Sequence, residues 1–167
     1  MTKVLIIVAS IEKNLELAEC FSDVLRARKI KNEILNIVKH DLPLFTPKFN
    51  VSEKPACLQG LAKKVLQADA MIFVAPEYNQ GIPPVLTNFI AWLSVTNSDD
   101  WRRCFNGKPA ALATHSGGGG VYVLNGMRLQ LSAMGMNLVG RQILTSHHKK
   151  LNPESIEEVI TQLLRML

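Results

Sequence analysis

Two spacings of apolar residues alternate along this chain. Nearly unbroken apolar runs occupy residues 3–9, 70–75 and 109–114, the first reading Val4, Leu5, Ile6, Ile7, Val8, Ala9 after Lys3, and residues 137–144 are read as a further, more mixed strand. Runs of this kind suit parallel strands buried on both faces. A more polar stretch at residues 33–38 completes five predicted strands. Between and after them the apolar positions recur every three or four residues, which puts a single stripe along a helix. The stripes are Leu17, Ala18, Phe21, Val24 and Leu25 within 14–29, and Leu58, Leu61, Ala62, Val65 and Leu66 within 55–67. Val85, Leu86, Phe89, Ile90 and Leu93 follow Pro83 and Pro84, a fourth helix runs to about Met134, and Ile156, Val159, Ile160, Leu163 and Leu164 mark the last.

Prolines and glycines punctuate this pattern where chain breaks are needed. Pro43, Pro47 and Pro55 predict an irregular segment over residues 39–54, with Pro55 near the start of the second helix. Pro76 ends the third strand, and a polar loop over 96–108 precedes the fourth. Asn152 is the expected cap of the last helix, with Pro153 at its first position. Strand followed by helix, repeated along the chain, predicts an α/β protein with a parallel sheet covered on both faces. The 167 residues form one expected domain, 1–167, with no repeat or linker to divide it.

Composition narrows the class. Hydrophobic residues make up 47% and charged residues 20%, and no apolar run reaches membrane-spanning length. With no signal-like leader, a cytoplasmic protein is expected. The three cysteines, Cys20, Cys57 and Cys104, contain no C-x-x-C pair, so neither a metal site nor a redox dithiol is expected. Cys20 and Cys57 fall in helical segments and are expected buried and reduced. The net charge of +5 is scattered apart from residues 26–31 and Lys149 with Lys150. No aromatic-interleaved basic motif accompanies it, so nucleic acid is not an expected partner. Arg28 and Lys29 suit the last turn of the first helix, where cations meet the helix dipole.

Ligands of open parallel sheets bind beyond the carboxyl ends of the strands, where strand order reverses. Three loops leave those ends with unusual chemistry: residues 10–14, 76–84 and 115–120. In a sheet of order 2-1-3-4-5 they follow neighbouring strands. The middle loop reads Pro76, Glu77, Tyr78, Asn79, Gln80, Gly81, Ile82, Pro83, Pro84. A rigid turn can aim backbone amides at a polar ring edge while a tyrosine covers a ring face. Prolines fix such a turn, and Gly81 permits a close approach. The same tetrapeptide could equally be a surface turn with Tyr78 packed on a helix. Ser116, Gly117, Gly118, Gly119 and Gly120 could be a flexible connector or could expose amides to an anion or carbonyl. They do not form a P-loop. His115 could touch a ligand, or be packed or solvated.

The run P-E-Y-N-x-x-x-P-x-x-L-x-N-x-I/F-x-W, matched by Pro76, Glu77, Tyr78, Asn79, Leu86, Asn88 and Trp92, resembles the signature of the NADPH-dependent FMN reductase family. Ser116, Gly117 and Gly118 resemble that family's second flavin-contacting loop. The resemblance implies a flavodoxin-like three-layer sandwich with a five-stranded parallel sheet of order 2-1-3-4-5. It implies an oxidoreductase that binds FMN, takes hydride from NADPH or NADH, and passes electrons to a flavin, quinone or similar small-molecule acceptor. Implied cofactor contacts are Ser10, Lys13, Asn14, Pro76, Glu77, Tyr78, Asn79, Gln80, His115, Ser116, Gly117 and Gly118, with no catalytic acid or base among them. A homodimer or homotetramer is also implied, with Phe89, Trp92, Tyr122 and Met127 as contacts if they are not core.

The first loop departs from the resemblance. Where the family shows G-S-x-R-x-x-S-x-N-x-x-L-A, this chain has the shorter Ala9, Ser10, Ile11, Glu12, Lys13, Asn14, Leu15, Glu16, Leu17, Ala18. A carboxylate ~4 Å from a phosphate charge costs up to about 4 kcal/mol at an effective dielectric of about 20. Glu12 therefore suits a helix cap better than a phosphate seat. The rival readings are a flavodoxin-type electron carrier, which the basic charge disfavours, and a degenerate binding or regulatory module that the altered loop favours. A phospho-receiver lacks its acidic residues here, and a serine hydrolase lacks G-x-S-x-G.

Overall fold

A computed structural model describes residues 2–46 and 54–167, so Pro47 and the rest of the predicted loop over 47–53 lie outside the described residues. The order of elements is β1 (Lys3–Val8), α1 (Lys13–Ala27), β2 (Lys31–Asn36), a 3-10 turn (Ile37–Lys39), α2 (Leu58–Leu66), β3 (Ala70–Val74), α3 (Pro84–Ser94), β4 (Pro109–His115), α4 (Val121–Ala133), β5 (Asn137–Leu138), β6 (Ile143–Thr145) and α5 (Pro153–Leu164). All strand pairings are parallel, in the order β2-β1-β3-β4-β5, with β6 also on β4. The expected α/β three-layer sandwich with strand order 2-1-3-4-5 is therefore present.

Alternation along the strands divides the core. Leu5, Ile7, Met71, Phe73 and Leu112 face α2, α3 and α4. Their chain neighbours Val4, Ile6, Ile72, Val74, Ala111 and Ala113 face α1 and α5. Successive side chains of a strand point to opposite faces, so a two-sided core demands apolar residues at every position. Full burial of one such side chain contributes about 1.5–3 kcal/mol.

Four local expectations need correcting. β2 begins at Lys31 and stops at Asn36, earlier than its apolar content suggested. Register with β1 pairs Lys3 with Lys31, the edge position tolerates polar residues, and Asn36 Oδ1 then accepts from the Val38 amide to start the 3-10 turn. The fifth strand is broken: β5 pairs with Pro109 and Ala110, β6 with Ala113 to His115, and the chain leaves the sheet between them. There Arg128 of α4 donates to the Val139 and Gly140 carbonyls. Leu66 is 39% exposed rather than inward, because α2 ends beneath it. Cys20 and Cys57 are half-buried, while Cys104 is buried, and all three are free.

Two of the resemblance residues hold the irregular segment onto α3. Asn88 donates to the Leu42 and Pro43 carbonyls and accepts from the Phe45 amide at 2.7 Å. Trp92 Nε1 donates to Pro43 O at 2.7 Å, and Phe45 meets its ring edge-on at 5.2 Å. Trp92, Phe89 and Met127 are core, which removes them as contacts between subunits, whereas Tyr122 is 57% exposed. No helix among the described residues is long and apolar enough to cross a membrane.

Lys108 closes α2 from outside the helix. Its ammonium donates to the carbonyls of Val65, Leu66 and Ala68 at 2.7, 2.9 and 2.8 Å. Burial pushes its pKa down, yet the three carbonyls give the charge its partners. Lys108→Met is expected to lower stability by roughly 2 kcal/mol, since carbonyls at a helix end lose a charged donor. Urea unfolding measures this, and a loss within error of zero would show that water replaces the ammonium.

Candidate functional site

The carboxyl ends of β1, β3 and β4 carry the three loops singled out by the sequence, and side chain to backbone bonds tie them together. Asn14, in the first turn of α1, is buried; its Oδ1 accepts from the His115 amide at 2.7 Å and its Nδ2 donates to the His115 carbonyl at 2.9 Å. One amide side chain thus satisfies both groups of the last residue of β4. Oδ1 and one of the two Nδ2 hydrogens are committed to the protein, which leaves a second Nδ2–H.

Glu77 makes the second tie. Its Oε2 accepts from the Tyr122 and Val123 amides at 3.0 and 3.1 Å. The N-cap of α4 is Gly120, which has no side chain to offer, so a carboxylate from the neighbouring loop takes that place. Negative charge there also meets the positive end of the helix dipole. Sequence reasoning placed Glu77 at the site without seeing this role; a glycine at an N-cap was the signal that a cap had to come from elsewhere. Gly120 itself has φ +76°, and a Cβ on it would lie 2.7 Å from Thr114 Cγ2, so no larger residue fits.

Tyr78, Asn79, Gln80 and Gly81 form a two-residue hairpin turn. The Tyr78 amide donates to Gly81 O at 3.2 Å and the Gly81 amide to Tyr78 O at 2.9 Å. Positive φ falls on Asn79 (49°) and Gln80 (59°), as a type I′ turn requires, rather than on Gly81. A Cβ at Gly81 would make only ordinary contact, so the close approach expected there is not what the fold uses. Tyr78 is 54% exposed instead of packed on a helix. Pro76 is buried at the end of β3.

The loop after β4 is turned by a hydroxyl. Ser116 is buried and its Oγ accepts from the Gly118 amide at 3.2 Å. Gly117 and Gly118 are exposed, and a Cβ on either would meet its neighbours only at 3.9 and 3.5 Å. Thr114 Oγ1 donates to Ala75 O at 2.6 Å, and Thr145 Oγ1 to Thr114 O at 3.2 Å, completing the strand ends. His115 turns its ring toward Thr145, with Nδ1 3.1 Å from Oγ1. Burial, then His147 and Lys13, push its pKa down, with Glu16 opposing.

At the first loop, Glu12 is the N-cap of α1 but makes no side-chain cap bond, and it is exposed. Lys13 is drawn into an exposed ion pair with Glu16 at 2.8 Å. The Ser10 carbonyl accepts from Asn36 Nδ2 at 2.9 Å. Among the described residues no group of His, Cys, Asp and Glu could hold a metal ion.

Comparison with known proteins identifies the family. Residues 2–150 match the model of the family described as NADPH-dependent FMN reductase, and the chain belongs to that family. A quinone reductase of Escherichia coli (strain K12) is 37% identical over 103 residues, which cover 58% of this chain and 53% of that protein. An NADPH azoreductase of Bacillus sp. (strain OY1-2) is 27% identical over 120 residues, 71% of this chain and 63% of that protein. The match thus spans little more than half the length of these curated relatives. Among solved structures, FerB, a flavoenzyme NAD(P)H:(acceptor) oxidoreductase from Paracoccus denitrificans, superposes with a TM-score of 0.80 at 20% identity, over 99% of this chain and 97% of that one. An apo NADH:FMN oxidoreductase (EMOB) gives 0.72 at 17%, over 99% and 88%. At such identities these structures speak for the fold.

Two outcomes follow from the geometry. Glu77→Ala is expected to cost about 1 kcal/mol through the lost cap, while Glu77→Gln, which keeps an acceptor, costs less; urea unfolding of both variants checks the order. His115 is held neutral by a lowered pKa, so below the unfolded value the unfolded chain takes up a proton that the folded chain refuses. Stability should therefore decline as the pH falls from about 7 toward 5, and His115→Gln should flatten that decline. An unchanged slope in the variant would contradict the assignment.

Proposed function

We propose that this chain is an NAD(P)H-dependent FMN reductase whose ring site is formed by the turn after β3 and the glycine loop after β4. The observation that carries the reading is the pairing of these loops: Glu77 locks them together while leaving Tyr78, Gly117 and Gly118 exposed. The fold does not require glycine at 117 or 118, so their open surface suits a flat ligand approaching the backbone. Asn79 and Gln80 would turn backbone amides toward the pyrimidine edge of the ring, with Pro76 fixing the turn, and Tyr78 would cover a face. Bound FMN would supply the redox chemistry, accepting hydride from NADPH or NADH and passing electrons to a flavin, quinone or similar acceptor. The protein's part is to bind, orient and exclude water, and no side chain is assigned as acid or base.

The phosphate end is less well matched. Asn14 gives its Oδ1 and one Nδ2–H to His115, Lys13 pairs with Glu16, and Glu12 places a carboxylate at the α1 N-terminus. The amides of the first turn, the second Nδ2–H of Asn14 and the Ser10 hydroxyl remain for an anion. These commitments favour a second reading, a binding or regulatory module with weak or no FMN. Tyr78, Val121, Tyr122 and Leu129 are exposed large hydrophobic side chains, consistent with the homodimer or homotetramer that family membership suggests.

Fluorescence titration of FMN, followed by NADPH oxidation with a quinone acceptor, tests the proposal. FMN is expected to bind in the micromolar range and Glu12→Ser to tighten it by about tenfold, the removal of roughly 1.4 kcal/mol of repulsion. Absence of both flavin binding and NADPH oxidation would favour the binding module. A submicromolar affinity that Glu12→Ser leaves unimproved would refute the account of the phosphate end.

A further inference from the structure

On the sheet face covered by α1 and α5, beside the end of β4, the fold leaves a cavity of about 340 Å³. Its walls are the first turns of α1, His115, and the segment that joins β6 to α5. None of residues 76–81 or 116–120 lines it. Lys13 and His115, which line it, are also among the contacts the family resemblance implies, and a Cβ on Gly117 would lie 3.9 Å from the His147 ring, so the cavity adjoins the glycine loop on the side facing α5.

The polar lining is cationic on balance. Lys13, His115, His147, Lys149 and Lys150 contribute to it, against the single carboxylate of Glu16, which is paired with Lys13. Lys149 and Lys150 have no acidic partner among the described residues. The state of His115 follows from its neighbours. The Thr145 hydroxyl donates to Thr114 O, so its oxygen accepts from His115 Nδ1. The neutral ring is thereby assigned as the Nδ1–H tautomer, with a bare lone pair at Nε2. That Nε2 is buried and has no hydrogen-bond partner among the described residues. His147 stands edge-on to the ring at 5.6 Å.

We propose that this cavity, which borders the proposed flavin site, binds a soluble phosphomonoester of a small organic molecule alongside the flavin rather than in its place. The phosphate would neutralise Lys149 and Lys150, and His115, on taking up a proton, would turn Nε2 from an unmet acceptor into a donor. Leu17, Cys20 and Leu151 line the rest of the cavity and give the organic body an apolar wall. The volume lies at the lower end of the roughly 300–1,000 Å³ usual for small-molecule sites and exceeds what a bare phosphate needs. The charged and titratable groups that share the cavity with His115 are Lys13, Glu16 and Cys20 from α1, and His147, Lys149 and Lys150 from the β6–α5 segment. Burial first, and then His147 and Lys13, disfavour a proton on the His115 ring, and a bound anion would oppose the charge part of that cost.

Ribose 5-phosphate and sulfate serve as probes, read by NMR of the histidine ring signals and by calorimetry, on flavin-free and FMN-saturated protein. Ribose 5-phosphate is expected to shift the His115 and His147 rings saturably and to bind about tenfold more tightly than sulfate, one ratio unit of about 1.4 kcal/mol. Sulfate keeps its charge across the range, so it isolates the protein's proton: with sulfate bound, His115 should titrate at a higher pH. The double variant Lys149→Ala, Lys150→Ala should weaken ribose 5-phosphate about tenfold and leave FMN affinity within about twofold. No saturable shift at millimolar probe, equal affinity for sulfate and the sugar phosphate, or an unaffected double variant would each overturn the proposal. Mutual exclusion of FMN and ribose 5-phosphate would overturn it too, while leaving the flavin reading standing. Failure of FMN to bind would not affect the flavin-free titration.

Discussion

Parallel strands that end together leave backbone groups at a common edge, and in this protein the side chains of Asn14, Glu77, Thr114 and Thr145 satisfy those groups. A buried, unpaired amide or carbonyl costs about 1–3 kcal/mol, so these partners are as necessary as the apolar core beneath them. Asn14 takes both groups of the His115 peptide, Thr114 the Ala75 carbonyl, Thr145 the Thr114 carbonyl, and Glu77 two amides of α4. Because each bond crosses between elements, the edge becomes one connected platform. The loops above it inherit their positions from that platform.

This constraint shapes the chemistry available at the site. Asn14, Glu77, Thr114 and Thr145 are largely engaged by the protein, while Tyr78, Asn79, Gln80, Gly117 and Gly118 remain exposed. Such a surface is suited to a flat ligand that brings its own reactivity, in keeping with membership of a flavin-reductase family. It is less suited to a phosphate, since Lys13 and Asn14 are engaged and Glu12 adds negative charge. The cationic groups that a phosphate would want lie instead around His115, Lys149 and Lys150, on the flank facing α5.

Much of the architecture was legible because burial on both faces leaves an unmistakable pattern. β1 and β3 read as apolar runs, and α5 began at Asn152 and Pro153, whose cap bond to the Glu154 amide is present. Errors fell where a neighbour overrode local composition. β2 was drawn into register by β1 although its first residues are polar, and Arg128 of α4 holds the break in the fifth strand. Asn88 and Trp92 belong to the motif that carries the family resemblance, and the fold uses them to clamp residues 42–45 onto α3.

At the site the division is similar. The turn after β3 and the glycine loop after β4 could be located from sequence alone, because proline, glycine and strand order restrict where a chain can reverse. The alternation of apolar runs and helical stripes likewise determined the sheet and its two covered faces, since each pattern has one way to bury itself. Only the tertiary structure decided which polar side chains were free. Glu77 could be recognised as a loop residue, but the amides that donate to it are set by a helix that begins more than forty residues later; Asn14 bonds to His115, a hundred residues away. Hydrogen bonds across such separations depend on how strands line up, and no local pattern encodes that alignment.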